Sequence, residues 1–354
     1  MTMTKEDFLL LEKILLTDTP SSMESEIGSI LKQYSGERLL FNSDSMGNYY
    51  MELNSGKGRS IMIAAHADEI GLQVVNIMDS GLLSFRMVGG VDLKSICGAR
   101  VKILTSRGKI PGVICKKPVH VEMFEKAGEK SMDYTDMWVD IGCRDRNETS
   151  VLVEVGDLIS FDAPVTFLGP NRIAAKALDN KSSVYVLLKT MLRLKAEGYP
   201  NNVVAVFTAQ EEVGCKGAIV ATERLHPDIG ICLDVCVATD CPGLNADRYG
   251  IVKIGDGPVL EYTTDVNRML LDGVVSHLRD KGLTFQKGIG LSCTGGTDTG
   301  KMQVSCTGIP CILISIPLRS MHTISEVCDC NDLDNTIEVL VELLKYLEGY
   351  AGVC

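Results

Sequence analysis

The sequence predicts an α/β protein whose mixed, largely parallel sheet is flanked by helices and interrupted by an inserted β-rich module. Short apolar runs alternate with amphipathic helical segments before about residue 72 and again after about residue 164. This alternation is typical of buried parallel strands covered on both faces. Between the two regions, long amphipathic helices are scarce. We therefore predict an α/β domain formed by residues 1–72 and 164–354, with residues 73–163 inserted between its two parts.

The first part of the α/β domain begins with a helical pattern over residues 7–34, which Thr19 and Pro20 interrupt. Residues 60–65 then form a short, continuous apolar run, as expected of a buried strand. His66 follows this run directly, so its side chain is predicted to lie at a strand end.

The inserted module is predicted from short strand-like pieces, which Gly, Asp, Ser and Pro separate. Closely spaced strands with turn residues between them indicate a compact β-rich unit. The pieces that carry this prediction cover residues 83–88, 100–104 and 110–115.

The second part of the α/β domain again alternates buried strands with amphipathic helices. The predicted strands cover residues 203–207, 229–233 and 310–316, and the predicted helices cover residues 180–194, 214–225, 268–278 and 334–347.

Composition excludes several classes of partner. The formal net charge of −11 argues against a nucleic acid, because phosphate binding requires a basic face. No apolar run approaches the roughly 20 residues of a membrane-spanning helix. The acidic N-terminal residues are typical of a helix start and not of a signal peptide. The 13 cysteines are irregularly spaced, which favours reduced thiols. We therefore expect a cytoplasmic protein without nucleic-acid or membrane partners.

Histidines and acidic residues recur where predicted strands end or in loops nearby, which is where ligand sites lie in open α/β sheets. Five segments show this placement: His66-Ala67-Asp68-Glu69, Asp179 at a helix start, Glu211-Glu212, Asp234 and His322.

Mixed nitrogen and oxygen donors suit zinc, cobalt or manganese better than calcium. The donors exceed what one tetrahedral ion needs, so two ions that share a carboxylate are expected, with Asp179 as the bridge. One of the paired glutamates can bind metal while its neighbour takes a proton from water. Asp68 can accept the N–H of the His66 ring that faces away from metal.

Each of these residues has a simpler interpretation when it is taken alone. Asp179 resembles a helix cap, Asp234 a turn residue, and Glu211-Glu212 a solvated surface pair. The simpler interpretations weaken when all five segments are considered together, because ionisable groups beside buried strands are costly without partners.

These segments resemble the M42 family of metalloaminopeptidases, which includes tetrahedral and glutamyl aminopeptidases. The resemblance spans nearly the whole chain, and its motifs occur in family order. The matching motifs are Ala65-His66-Ala67-Asp68-Glu69-Ile70-Gly71, Lys176-Ala177-Leu178-Asp179-Asn180, Glu211-Glu212-Val213-Gly214, Asp234-Val235 and Arg319-Ser320-Met321-His322.

The resemblance implies a dinuclear zinc peptidase fold whose inserted domain is small and β-barrel-like. It implies a metal-dependent aminopeptidase that hydrolyses N-terminal residues from short peptides, with a metal-bridging hydroxide as nucleophile. The implied cofactors are two divalent ions per subunit, Zn²⁺ or Co²⁺, and the implied assembly is a homo-oligomer between dimer and dodecamer. The implied roles are Asp179 as the metal bridge, Glu212 and His322 as ligands of one ion, His66 and Asp234 as ligands of the other, Glu211 as general base and Asp68 as support for His66.

The sequence departs from the family at Asn180-Lys181, where members usually have Asp-Arg. The bridging position is retained, but the local charge differs, so the metal preference stays open. Asp298 is interpreted as a turn residue in preference to a residue of the pocket floor.

Two further functions are alternatives to the aminopeptidase. A glycoside hydrolase needs two carboxylates but no histidines, so hydrolysis that survives a strong chelator would favour it. A non-catalytic assembly or binding protein on the same fold would bind metal without cleaving any aminoacyl substrate.

Overall fold

The computed structural model describes residues 3–36, 39–53, 58–124, 133–290 and 296–350. Within these residues, strands and helices alternate in both parts of the predicted α/β domain, while residues 71–161 contain mainly strands. The strands are β1 (Leu40–Ser43), β2 (Tyr49–Leu53), β3 (Ser60–His66), β4 (Gly71–Ile77), β5 (Leu83–Val88), β6 (Arg100–Thr105), β7 (Gly108–Lys116), β8 (Met137–Asp140), β9 (Leu158–Phe161), β10 (Thr166–Leu168), β11 (Arg172–Ala175), β12 (Asn202–Thr208), β13 (Ile229–Val237), β14 (Val259–Glu261), β15 (Gln286–Gly288), β16 (Cys311–Leu318) and β17 (Glu326–Asp329).

The helices lie mostly outside the segment 71–161, and those inside it are short. They are α1 (Lys5–Leu15), α2 (Ser25–Tyr34), α3 (Leu93–Ile96), α4 (Val119–Phe124), α5 (Arg146–Leu152), α6 (Leu178–Glu197), α7 (Lys216–Leu225), α8 (Ala246–Tyr249), α9 (Arg268–Asp280), α10 (Asp298–Val304) and α11 (Cys330–Glu348).

The main sheet of the described residues has eight strands in the order β1-β2-β12-β3-β13-β16-β14-β15. Its centre is parallel, because β12, β3, β13 and β16 all run in one direction. Antiparallel pairings attach β2 to β12 and β14 to β16. The predicted mixed, largely parallel sheet is therefore confirmed. The order also brings the carboxyl ends of the four central strands to a single edge.

Two groups of helices pack on this sheet. In the first, α6 contacts α1, α11 and the central strands. In the second, α7 and α10 contact each other and the strands β3, β12, β13 and β16. Every residue of β16 is buried, and the central strand residues belong to one apolar core shared with the helices. Burial from both sides explains why these strands appear in the sequence as continuous apolar runs.

The inserted segment forms a closed barrel with the strand order β4-β5-β8-β7-β6-β9. Its apolar residues form a cluster separate from the core of the main sheet, with Leu72, Ile103 and Val139 fully buried. The barrel-like insertion is thus confirmed, and the boundaries at residues 73 and 163 stay a prediction. A small antiparallel sheet, β10-β11-β17, is separate from the main sheet, but Ile173 and Cys328 from it belong to the main core.

None of the helices described here is both long and apolar enough to cross a membrane. The 11 cysteines in the described part of the chain are free thiols. The predicted cytoplasmic location stays a prediction.

Candidate metal centre

His66 is the last residue of β3, and its ring is almost completely buried. Nδ1 lies 3.1 Å from the backbone oxygen of Asp68. Nε2 lies 3.1 Å from Oδ1 of Asp179 and 3.7 Å from Oδ1 of Asp234. If Nδ1 donates to the Asp68 carbonyl, Nε2, which faces the carboxylates, is the nitrogen available to a metal ion.

Asp179 lies between the two histidines. Its Oδ1 faces His66, while its Oδ2 lies 3.2 Å from Nε2 of His322. Asp179 belongs to the first turn of α6, where it and Asn180 depart from helical backbone angles. One carboxylate at this point therefore presents a different oxygen to each imidazole.

His322 follows β16 and comes from the same edge of the sheet as His66. Its Nδ1 lies 2.7 Å from the carbonyl oxygen of Gly90, which belongs to the inserted segment. Its Nε2 is 3.7 Å from Oε1 of Glu212 and 3.2 Å from Oδ2 of Asp179. As at His66, a carbonyl acceptor for Nδ1 leaves Nε2 free to bind a cation.

Glu211 and Glu212 follow β12, whose last residue, Thr208, pairs with His66 of β3. Oε2 of Glu211 lies 3.9 Å from Nε2 of His66. The Cys215 thiol donates to Oε1 of Glu211 over 3.3 Å. The two adjacent glutamates therefore face different partners, because Glu212 is directed at His322.

The sequence predicted that the strand ends at Asp234. In the structure, Asp234 lies inside β13, which continues to Val237. Its neighbour in the parallel register is Ser315 of β16. The strand therefore ends later in the chain than predicted. The Asp234 carboxylate nevertheless lies near the His66 ring, 3.7 Å from its Nε2.

Two groups of donors share Asp179. In each group, one ligand atom from every residue lies within 4.8 Å of the others. The first group is His66, Asp179 and Asp234, and the second is Asp179, Glu212 and His322. The structure therefore brings together all the residues that the sequence proposed as metal ligands, with Glu211 beside them.

Electrostatics in this cluster favour the binding of cations. Burial raises the pKa of Glu212 to about 8, with repulsion from Asp179 adding to the shift. Burial also raises the pKa of Asp234. Hydrogen bonding to Asp179 raises the pKa of His322 to about 10. A buried set of carboxylates and imidazoles gains most from cations that neutralise the acids directly, so the chemistry of the donor set fits divalent metal ions.

Comparison with known proteins places this centre in a family. A family model described as M42 glutamyl aminopeptidase matches residues 47–339. The chain belongs to the M42 peptidase family. A lysyl aminopeptidase of Pyrococcus furiosus is 29% identical over 349 residues, covering 97% of this chain and 98% of that protein.

Solved structures agree with this assignment. A TET aminopeptidase from a marine sediment Thaumarchaeota archaeon superposes with a TM-score of 0.89 at 28% identity, covering 97% of this chain and 98% of that one. The Pyrococcus horikoshii TET1 peptidase, described as assembling into a tetrahedron or a large octahedral shell, gives 0.85 at 27% identity, covering 96% and 99%. The protein is therefore an enzyme, a peptidase of the M42 family, and the predicted family resemblance is confirmed.

Two further carboxylates lie at this M42 centre, and the sequence did not assign either of them a role in it. Glu326 of β17 is buried, and its oxygens accept the backbone N–H of Asp179 at 2.9 Å and that of His322 at 2.7 Å. Asp298, which the sequence assigned to a turn, begins α10 and lies beside Glu211 and Cys215. The only sequence signal for Glu326 is its position four residues after His322, which is too weak to use alone.

The departure from the family at Asn180-Lys181 has a structural explanation. Nζ of Lys181 is fully buried and donates to Oε2 of Glu69 at 2.9 Å and to the Thr17 carbonyl at 2.7 Å. Asn180 donates to the carbonyl of Leu233. Lys181 therefore pairs with Glu69 and not with a residue of the metal centre, so its charge acts on the scaffold behind the donors.

Proposed function

We propose that this M42 peptidase is a dinuclear metal-dependent aminopeptidase that removes N-terminal residues from short peptides. The observation that carries the proposal is the position of Asp179, whose two oxygens lie 3.1 Å and 3.2 Å from the Nε2 atoms of His66 and His322. Such an arrangement suits a carboxylate that bridges two ions, each with one imidazole.

The donor groups support a definite division of ligands. Asp234 with His66 would hold one ion, and Glu212 with His322 would hold the other, with Asp179 common to both. Nitrogen and carboxylate oxygen donors suit Zn²⁺ or Co²⁺. When bound, the two ions would supply Lewis acidity, which makes water more acidic and polarises the peptide carbonyl.

Glu211 is proposed as the general base. It lies beside the donors, its carboxyl accepts a hydrogen bond from the Cys215 thiol, and its backbone N–H donates to Asp68. Burial raises its pKa to about 8, and the charges of Asp298 and Glu212 add to this effect while that of His66 opposes it. Glu211 would take a proton from the attacking water and return it to the departing amine, as a general acid–base group does.

We further propose that the chain acts as a homo-oligomer, between a dimer and a dodecamer. Support comes from the Pyrococcus horikoshii relative, which can assemble into a tetrahedron or a large octahedral shell. A closed shell would admit short peptides to the centre more readily than folded proteins. The family model is described as glutamyl and the Pyrococcus furiosus relative as lysyl, so membership alone leaves the preferred residue open.

Metal removal and return test the function. The protein is stripped with a strong chelator, titrated with Zn²⁺ or Co²⁺, and assayed for bound metal per chain and for hydrolysis of aminoacyl reporter substrates. We expect hydrolysis to vanish on stripping and to reach its maximum at two ions per chain. Full activity at one ion, or activity that survives the chelator, would contradict the proposal. Metal binding without any hydrolysis across a broad substrate panel would support the non-catalytic alternative.

A further inference from the structure

A second cavity of about 390 Å³ adjoins the cavity of the metal centre. Both cavities are lined by Val235 and Met321, which directly follow and precede the donors Asp234 and His322. A substrate held with its first peptide bond at the metals therefore has room beside it for one side chain. The second cavity, called here the selectivity cavity, is mostly apolar, with Cys236, Val252 and Val259 forming a small buried cluster in its wall.

Glu261 is a buried acidic residue in the wall of the selectivity cavity. It lies on the short strand β14, where Val259 and Glu261 line the cavity and Leu260 between them packs into the main core. Because side chains alternate between the two faces of a strand, Val259 and Glu261 share the face that borders the cavity. Only 3% of Glu261 is exposed.

Glu261 has no ion-pair partner and no well-formed hydrogen bond among the residues that the structure describes. The hydroxyl of Ser315 lies close enough to favour its charged form but makes no hydrogen bond of good geometry. Lys287 also lines the cavity, but its ammonium lies 4.2 Å from the ring centroid of Tyr262. Burial raises the pKa of Glu261. A cation that enters the cavity would stabilise the charged form of this buried carboxyl, which has no ion-pair partner among the described residues.

We propose that the selectivity cavity holds the side chain of the substrate's N-terminal residue and that Glu261 selects side chains ending in a cation, those of lysine and arginine. The inference rests on the proposed aminopeptidase function and adds the substrate class. The apolar wall suits the methylene chain of such a residue, while Glu261 pairs with its charged end.

The test compares substrates that differ only at the charged end. Lysyl and norleucyl reporter peptides have side chains of nearly equal length, and only the first carries an ammonium group. We expect the metal-loaded enzyme to have a higher kcat/KM for the lysyl substrate. Glu261→Gln, which keeps the shape and removes the charge, is expected to lower the lysyl-to-norleucyl ratio roughly 10- to 100-fold, as for a lost hydrogen bond to a charged group. Glu261→Met is expected to favour the norleucyl substrate.

Asp256→Asn is the matched control, because it removes the same formal charge from an exposed site outside the cavity wall. We expect this variant to keep the wild-type ratio. If Asp256→Asn lowers the ratio as much as Glu261→Gln does, the preference arises from overall charge and the inference is overturned. Thermal melting of each variant establishes that the ratios are measured on folded protein.

Binding of L-lysine and L-norleucine, measured by calorimetry, separates this inference from the proposed function. Equal kcat/KM for the two substrates in wild type and Glu261→Gln overturns the inference while the aminopeptidase stands. Tighter binding of lysine than of norleucine, lost in Glu261→Gln, supports the cavity assignment even if no peptide is cleaved. Equal binding of both amino acids to the wild type overturns it.

Discussion

Oδ1 of Asp68 accepts a hydrogen bond from the backbone N–H of Glu211 at 2.9 Å. Its Oδ2 accepts the N–H of Glu212 at 3.2 Å and the hydroxyl of Ser21 at 2.6 Å. The carboxylate of Asp68 thus holds the loop that carries both glutamates, while its backbone oxygen orients His66. One residue just after β3 connects the proposed base to a proposed ligand.

Replacement of Asp68 by Asn tests this connection. The amide has one acceptor oxygen and one donor group, so it cannot accept both backbone N–H groups of the loop. We expect activity to fall roughly 10- to 100-fold at saturating metal, the usual effect of losing a group that orients ligands. The measurement is kcat together with bound metal per chain. Ser21→Ala, which removes only the third hydrogen bond, should change kcat much less, and an equal loss would refute the role in the loop.

Glu211→Gln is expected to retain metal and lose hydrolysis. The side chain keeps its size but cannot accept a proton, so kcat should fall by about 10²- to 10⁴-fold. Glu212→Gln is the neighbouring comparison, and we expect it to bind less metal because Glu212 shares a donor group with Asp179 and His322. Metal analysis and steady-state kinetics on both variants check the division of roles. Near-normal turnover in Glu211→Gln would show that another group is the base.

Glu326→Gln is expected to weaken metal binding, although Glu326 is not itself a proposed metal ligand. The carboxylate of Glu326 accepts the N–H groups of both Asp179 and His322, and an amide can accept only one of them. We expect a roughly 10- to 100-fold loss of affinity, measured by competition with a chromogenic chelator. Glu338→Gln, at a partly exposed ion pair with Arg193 on the outside of the fold, is the control. Unchanged affinity in Glu326→Gln would assign that residue a purely structural role.

Asp18→Asn should destabilise the fold at neutral pH. Asp18 is buried, accepts from Lys176 at 2.9 Å and from Ser160 at 2.9 Å, and pairs with Lys102 and Lys109 of the barrel. Removing one partner leaves buried positive charge uncompensated, so we expect a loss of about 3–5 kcal/mol in the free energy of unfolding. Urea unfolding, followed by the fluorescence of Trp138 in β8, measures this loss.

The effect of Asp18→Asn should depend on pH in a definite direction. Burial opposes the charge of Asp18, but Lys176 and the surrounding hydrogen bonds outweigh it and hold its pKa well below the usual range. A lowered folded-state pKa stabilises the fold above the unfolded pKa, near 4, and this contribution is lost as the pH falls further. The difference between wild type and variant should therefore be largest near neutral pH and shrink below about pH 4.

Asp162→Asn is the control for this ion-pair cluster, because Asp162 also pairs with Lys102 but its side chain is 41% exposed. We expect a loss of less than about 1 kcal/mol there. A loss at Asp18→Asn no greater than at Asp162→Asn, or one that stays constant into acid, would contradict a buried ion-pair role.

The proposed donors were accessible to sequence reasoning because each is tied to a strand of the parallel centre or to the helix beside it. His66 ends β3, Asp234 lies in β13, and His322 follows β16. Parallel neighbouring strands bring their carboxyl ends to one edge, so residues far apart in the chain are expected to meet there. Buried strands and amphipathic helices follow from local periodicity, which also predicted the mixed sheet and the β-rich insertion.

What the sequence alone determined is therefore the fold class, the family resemblance and the set of candidate donors. Only the tertiary structure showed that Glu326 holds Asp179, that Lys181 pairs with Glu69, and that Glu261 borders a cavity next to the donors. The physical reason is that these roles depend on which distant group lies within about 3 Å, the range of a hydrogen bond. Residue type and spacing in the sequence do not determine that distance, which depends on how the chain folds.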